Sequence, residues 1–112
     1  MGLTKSDIFT EKQNELANLA KVLGHPARIA ILQHLIKVNA CIGGDLVNEI
    51  GLAQPTISQH LRELKKVGII QGTIEGTSVC YCIDPENWKT IQALFDTFFT
   101  DFTSKIDSDS CC

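Results

Sequence analysis

A glycine turn at residues 51–53 separates two segments of helical pattern and constrains the fold of this chain more than any other feature. Residues 45–50 before the turn predict a short helix, and residues 54–68 after it predict a longer helix with a buried apolar stripe. The pattern then predicts two strands, residues 68–74 and 79–83, on either side of a glycine-containing connection. Such an arrangement is typical of a β-hairpin. Two helices joined by a tight turn and followed by a hairpin are the layout of a winged helix-turn-helix.

The remaining segments are helical in pattern as well. Residues 11–23 and 26–38 predict two further helices, and residues 86–106 predict a long apolar one. We therefore expect a mainly α fold with a small β-hairpin, in the order four helices, a two-stranded wing and a long C-terminal helix. We divide the 112-residue chain into one winged helix-turn-helix domain, residues 1–106, and a flexible C-terminal tail, residues 107–112.

The helix that follows the turn has a polar N-terminal half without an acidic residue. The residues that we expect to contact DNA are Gln54, Thr56, Ser58, Gln59, His60, Arg62, Lys65 and Lys66. Such a helix fits the major groove, where Gln can hydrogen-bond adenine and Arg or Lys can neutralise phosphate. His60 is equally consistent with an ordinary surface histidine, and the whole row is also consistent with a merely solvated helix face.

The formal net charge of −3 argues at first against a nucleic-acid partner, but the charges are unevenly distributed. Residues 54–72 contain three cations and one carboxylate, whereas residues 84–109 contain six carboxylates and two lysines. The middle of the chain is therefore suited to approach phosphate, while the acidic charge is concentrated in the C-terminal segment.

The long C-terminal helix carries an aromatic seam, formed by Trp88, Ile91, Phe95, Phe98 and Phe102. These residues are spaced 3, 4, 3 and 4 apart, as in a helix that packs against a partner helix. The seam favours a homodimer, because a small domain cannot cover so much apolar surface alone. The alternative is a helix that packs only on its own subunit.

The segments LAKVLGHPARIAILQHL and GDLVNEIGLAQPTISQHLRELKKVGIIQGTIEGTSVCYCI resemble the ArsR/SmtB family of bacterial metal- and metalloid-responsive repressors. The resemblance covers residues 16–83, and QPTISQHLRELKKVGII is its most specific part. It implies a homodimer that binds double-stranded operator DNA and releases it when an inducer binds. It also implies that the first and last helices hold the dimer, which adds Leu16 and Leu19 to the aromatic seam. The hairpin would lie near the minor groove, although its tip, residues 75–78, lacks the Arg or Lys common in wings.

The resemblance directs attention to thiols as the site of the inducer. The family's zinc, nickel and cobalt sensors often use His and carboxylates on the last helix. Here no His follows His60, and Asp96 and Asp101 alone make a poor zinc site. The family's arsenite- and cadmium-type sensors place Cys-x-Cys before the third helix, where this chain has Cys41 alone.

Cys80 and Cys82 on the second predicted strand could supply the missing thiols. Residues two apart on a strand project from one face, roughly 6.5 Å apart along it. In winged-helix folds the segment before the third helix can pair with this strand, which would bring Cys41 beside them. Three thiolates are suited to trivalent arsenic or antimony, or to another soft metal ion, as an inducer, and we expect that no cofactor is required.

Other interpretations of the five cysteines stay open. Cys111 and Cys112 could capture a soft ion together with a third thiol, or they could lie in a tail without a binding role. A redox or persulfide switch could join two of the cysteines. Cys80 and Cys82 could also be small strand residues packed under the wing.

Membrane proteins, secreted proteins and enzymes are disfavoured classes. No apolar run approaches the roughly 18 residues of a membrane span, and the N-terminus lacks the apolar segment of a signal peptide, so we expect a cytoplasmic protein. We find no Gly-rich phosphate loop, zinc-hydrolase signature or Ser/His/Asp arrangement. A winged-helix module for protein contact is the alternative to DNA binding, because the last helix is acidic and the wing is not basic.

Overall fold

The structure, a computed structural model, describes residues 8–38, 46–75 and 78–106. In chain order its elements are α1 (Glu11–Leu23), α2 (Pro26–Val38), α3 (Leu46–Ile50), α4 (Gln54–Lys66), β1 (Ile70–Glu75), β2 (Ser78–Ile83) and α5 (Pro85–Thr103). The predicted order of four helices, a hairpin and a long final helix is confirmed. Within these residues, every helix is too short or too polar to serve as a membrane span.

The first two helices begin where local signals place them. Thr10 Oγ1 accepts the Gln13 N–H at 3.1 Å, and Gln13 Oε1 accepts the Thr10 N–H at 3.0 Å, which forms a capping box at the start of α1. Pro26 opens α2, where its missing N–H costs nothing. His25 Nδ1 accepts the Ala27 N–H at 3.1 Å and so caps α2.

The junction after α4 explains why β1 starts two residues later than predicted. Gly68 adopts φ +79°, in the left-handed region that favours glycine, and its N–H donates to Lys65 O at 2.9 Å. Asn87 Nδ2 donates to Val67 O at 3.2 Å, while the Asn87 N–H donates to Asp84 Oδ1 at 3.1 Å. The start of α5 is therefore tied to the end of α4.

The antiparallel hairpin has one buried face and one outer face. Ile70 and Tyr81 are 2% and 1% exposed and face the core. Cys82 pairs with Gln71 in the register, and Cys80 lies two residues before it on the opposite face from Tyr81. The hairpin therefore buries its aromatic residue and turns both thiols away from the core.

Gly72 allows the two strands to approach each other at this point. It pairs with Tyr81 in the register and adopts φ +125°. A Cβ at this position would collide with the carbonyl oxygen of Cys80, so a larger residue could not be accommodated without moving β2.

The inner side of α4 lies at the centre of the core. The buried hydrophobic residues are Leu19, Val22, Ile31, Leu32, Leu35, Leu46, Ile57, Leu61, Leu64, Ile69, Ile70, Tyr81 and Ile91. Ile57, Leu61 and Leu64 belong to α4 and are 1%, 1% and 0% exposed. Burying each of them stabilises the fold by about 1.5–3 kcal/mol, so the orientation of α4 is strongly determined.

Candidate nucleic-acid interface

The turn between α3 and α4 determines where α4 begins. Gly51 adopts φ +86° and donates its N–H to Val47 O at 2.9 Å, which closes α3 and reverses the chain. Ala53 occupies the N-cap of α4 and makes no side-chain hydrogen bond to it. The first N–H groups of α4 are therefore not capped by a side chain, and the first turn contains no acidic residue. These two features make this helix end suitable for an anionic phosphate.

The outer face of α4 carries most of the residues expected to contact DNA. Six of these side chains are exposed, namely Gln54, Thr56, Gln59, Arg62, Lys65 and Lys66. Ser58 is half-buried. Gln59, Arg62 and Lys66 are spaced 3 and 4 apart, so they line one side of the helix. The prediction that these side chains form one polar face is consistent with this exposure; their contact with DNA remains a prediction.

Hydrogen bonds within α4 hold part of this face in place. Glu63 Oε1 accepts hydrogen bonds from Gln59 Nε2 and from Lys66 Nζ, both at 3.3 Å. Gln54 Nε2 donates to Ser58 Oγ at 3.0 Å. Glu63 offsets the charge of Lys66, whereas Arg62 and Lys65 have no described acidic partner. Each bond to Glu63 uses one N–H, so the Gln59 amide oxygen and the other N–H groups of Gln59 and Lys66 remain available to a base or a phosphate.

His60 is an exception and corrects our prediction that it contacts bases. It is 7% exposed and lies on the inner side of α4 among the apolar residues. Its Nδ1 accepts a hydrogen bond from Arg28 Nε at 3.1 Å, and its ring centroid lies 4.4 Å from that of His25. Position 60 is three residues after Ile57 and four before Leu64, which places it on the buried stripe.

Arg28 is a further residue of this region, and its position in the sequence carries a signal. A cation in the first turn of a helix opposes the helix dipole, so it indicates a specific partner. Arg28 is half-buried in the first turn of α2 and has two partners. Its Nε donates to His60, and its Nη1 donates to Val22 O at 3.1 Å in the last turn of α1. The side chain therefore connects α2 to both α1 and α4.

The wing carries two free thiols on its outer face. Cys80 is exposed and Cys82 is half-buried. Gln71 Nε2 lies 3.8 Å from Cys82 Sγ and donates to it. Cys41, Cys111 and Cys112 lie outside the described residues, so the structure does not test the predicted three-thiol site or the tail site. Among the residues that are described, no three His, Cys, Asp or Glu side chains are grouped to hold a metal ion.

The predicted dimer seam is divided between the core and the surface. Leu19 and Ile91 are 5% and 7% exposed and pack in the core of the single chain, which corrects their assignment to an interface. Phe98 and Phe102 are 56% and 71% exposed. Intermediate burial is found for Leu16, Trp88 and Phe95. The N-terminal half of α5 therefore completes the core, and its C-terminal half leaves large aromatic groups uncovered.

The chain is similar in sequence to known transcriptional regulators. Residues 25–71 match the profile of a family described as bacterial regulatory protein, arsR family. An HTH-type transcriptional regulator of Methanocaldococcus jannaschii is 37% identical over 86 residues, which cover 77% of this chain and 97% of the relative. The biofilm growth-associated repressor of Xylella fastidiosa is 31% identical over 99 residues, which cover 88% of this chain and 85% of the relative.

The fold agrees with this relationship. The crystal structure of the transcriptional repressor BigR from Xylella fastidiosa is similar with a TM-score of 0.56 and 32% identity, and the match covers 86% of this chain and 97% of that structure. The match to the profile at residues 25–71 includes the helix-turn-helix formed by α3 and α4. The chain therefore belongs to the ArsR/SmtB family of winged helix-turn-helix regulators, a non-enzymatic class of DNA-binding proteins that control transcription.

Proposed function

We propose that this chain is a homodimeric transcriptional repressor that inserts α4 into the major groove of operator DNA and is released by a ligand of its cysteine thiols. The observation that carries the DNA-binding part is the two-sided character of α4. Its apolar side is anchored in the core, and its other side presents amide, hydroxyl and cationic groups to solvent. The similar sequence and the similar structure from Xylella fastidiosa are both named as repressors, which supports repression as the direction of regulation.

Each group on the outer face of α4 has a role that its chemistry suits. Gln59 can donate to and accept from the edge of adenine in the major groove. Arg62, Lys65 and Lys66 neutralise phosphates on either side of the groove. Thr56 and Ser58, near the start of the helix, can bond a phosphate together with the open N–H groups of the first turn. Sequence would thus be read mainly by glutamine, and affinity would come mainly from the cations.

A gel-shift titration with duplex DNA from the protein's own upstream region tests DNA binding. Specific binding should weaken steeply as salt rises, because counterions are released from each phosphate that is neutralised. A duplex of scrambled sequence is the control for non-specific affinity. Absence of a shift, or a shift equal for both duplexes, would contradict operator binding and favour a protein-interaction module.

Exposed apolar groups on α5, and at Ile106 just after it, support the homodimer. Phe98, Phe99, Phe102 and Ile106 are between 56% and 71% exposed on the single chain, and the Phe98 and Phe99 rings pack edge to face at 5.2 Å. Large apolar groups clustered on a surface are typical of a protein interface. A second copy of α5 would cover them, and the dimer would present two α4 helices to successive major grooves.

The thiols on the wing support a soft, thiol-binding inducer, for which we propose arsenite or antimonite. Cys80 and Cys82 share the outer face of β2, so neither has to leave the core to reach a ligand. Cys41, which precedes α3, would supply the third thiol. Each As–OH group of arsenite would react with one S–H group, forming an As–S bond and releasing one water. No oxidant or reductant is needed for this exchange.

We expect the double variant Cys80→Ser, Cys82→Ser to bind arsenite at least about tenfold more weakly than the unaltered protein, equivalent to ~1.4 kcal/mol. The reason is the loss of two of three soft ligands, because serine oxygens do not replace thiolates toward a soft ion. Calorimetric titration with arsenite measures the affinity, and the variant Cys111→Ser, Cys112→Ser is the matched control. Unchanged binding by the wing variant would refute the wing site.

The other outcomes of the same titration identify the alternatives. Weaker binding by the tail variant alone would move the site to Cys111 and Cys112. If neither variant changes arsenite binding but an oxidant or a persulfide donor releases the DNA, a redox or persulfide switch replaces the metalloid as the inducing chemistry.

A further inference from the structure

The buried side of α4 makes a polar contact that the apolar core does not require. His60 is 7% exposed, and its Nδ1 accepts the Nε–H of Arg28 at 3.1 Å. The same guanidinium donates from Nη1 to Val22 O at 3.1 Å. One side chain of α2 therefore holds the interior of the DNA-contacting helix and the carboxyl end of α1 at the same time.

The identity of the donor determines the protonation state of His60. A guanidinium carries only N–H donors and keeps its charge at every pH relevant to a protein. Nδ1 of His60 must therefore be the unprotonated, accepting nitrogen, and Nε2 carries the proton. A second proton could add only at Nδ1. The Nδ1–H of His60 and the Nε–H of Arg28 would then be two donors facing each other, and both side chains would be positively charged.

The charged groups around His60 would do little to stabilise its protonated form. Arg28 of α2 and His25, which precedes α2, face the ring, with the His25 centroid at 4.4 Å. A cavity beside these two residues is lined by Lys21 from α1 and by Glu63 from α4 itself. Glu63 Oε1 already accepts from two donors on the outer face, Gln59 and Lys66. Cations and donors thus outnumber the one carboxylate around the ring.

We infer that Arg28, acting through His60, is a positioning residue for α4, and that protonation of His60 at Nδ1 opens this contact so that operator DNA is released in mildly acidic solution. The inference rests on the proposed DNA-binding role of α4. Once the contact opens, α4 keeps its apolar anchors but loses its polar connection to α2 and, through Arg28, to the end of α1. The orientation of α4 relative to α1 and α2 would then no longer be fixed. The two α4 helices of the dimer need that orientation to enter successive major grooves.

The electrostatic setting agrees with this direction. Burial, and then the nearby His25 and Arg28, lower the pKa of His60 below its ordinary value of 6.5. A histidine with a lowered folded-state pKa stabilises the native arrangement at pH values above 6.5, and this contribution is lost as the pH falls through the folded-state pKa. The loss of this stabilisation, and with it of DNA affinity, is therefore expected below pH 6.5 and not in the alkaline range.

The test compares DNA binding at pH 7.5 and pH 5.5 for the unaltered protein and for His60→Asn. The side-chain oxygen of asparagine can stand near the position of Nδ1 and accept from Arg28, but it does not titrate. We expect the unaltered protein to lose affinity for the upstream duplex by up to about tenfold per pH unit below the pKa of His60, the limit for one coupled proton. His60→Asn should bind equally well at both pH values or better at pH 5.5, because added positive charge favours DNA.

Two further variants separate the positioning of α4 by Arg28 and His60 from pH effects that arise elsewhere in the protein. His34→Asn removes a half-buried histidine of α2 and should leave the pH profile of the unaltered protein intact. Arg28→Met keeps a long apolar side chain but removes the donors, and should lower affinity at pH 7.5 while flattening the profile. Loss of the profile in His34→Asn, or its persistence in His60→Asn, would overturn the inference.

A spectroscopic measurement keeps the inference testable without DNA. In nuclear magnetic resonance spectra of the unaltered protein, the His60 ring signals and the Arg28 Nε–H signal should titrate together with one apparent pKa. If they titrate independently, the contact does not depend on the proton and the inference fails even if operator binding is confirmed. If they titrate together but no duplex is bound at pH 7.5, the proposed function fails and the DNA-positioning role fails with it, while the protonation-dependent contact stands.

Discussion

Replacing Gln59 with alanine is expected to weaken operator binding by about 1–3 kcal/mol, a factor of roughly 5 to 150. Gln59 is exposed at the middle of the outer face of α4, where a bidentate contact to adenine is possible. The loss should be confined to the operator, because non-specific binding depends on charge and glutamine has none. The slope of log affinity against log salt should stay unchanged.

Replacing Arg62 with alanine is the matched experiment on the same face. It should weaken binding to operator and scrambled duplexes alike and lower the salt slope by about one, because one phosphate contact is removed. Lys12→Ala, which removes an exposed cation from α1, controls for the change in net charge. Fluorescence anisotropy over a series of salt concentrations measures both quantities. A Gln59→Ala variant that binds the operator as well as the unaltered protein would refute the base-reading role.

Replacing Phe102 with alanine is expected to destabilise the homodimer by about 3–6 kcal/mol. The ring is 71% exposed on the single chain, so its removal leaves the core intact. Full burial of a phenylalanine contributes about 1.5–3 kcal/mol, and a two-fold interface contains both copies of every substituted residue. Operator affinity should fall in parallel, since a monomer contacts only one half-site.

Sedimentation equilibrium measures the dimerisation constant of this variant, and circular dichroism checks that its helix content is preserved. The control is Thr100→Ala, an exposed residue of α5 that lies two positions from Phe102 and so points to the other side of the helix. A Phe102→Ala protein that dimerises as tightly as the control would show that α5 does not form the interface.

Elements with strong local signals were predicted correctly from the sequence. α1 covers Glu11–Leu23 as expected, because the capping box at Thr10 and the glycine after Leu23 are encoded within a few residues of its ends. The strands were predicted less accurately at their ends. Gly68 closes α4 instead of opening β1, because it adopts a left-handed conformation and because the side chain of Asn87, 19 positions away in sequence, occupies the space that a Cβ at position 68 would need.

The candidate site was predicted only in part, since a polar residue type does not reveal on which side of a helix it lies. The residue type of His60 suits DNA contact and so predicts a place on the outer face, yet its position between Ile57 and Leu64 puts it on the buried side. Its partner Arg28 is 32 positions away, so no local pattern joins the two. The aromatic seam was likewise one pattern in sequence, but packing divides it between a buried Ile91 and exposed phenylalanines.

The sequence by itself determined the order of the elements, the turn before α4 and the residue types on the outer face of α4. These features depend on backbone preferences and helical periodicity, which act over a few residues. Tertiary structure alone decided that His60 is an interior acceptor for Arg28, that Cys80 and Cys82 lie on the outer face of the wing, and that α5 covers the core with one half and leaves the other half open. Those outcomes depend on which segments, far apart in sequence, pack together and exclude water from their apolar side chains. Such packing is determined only in the folded chain.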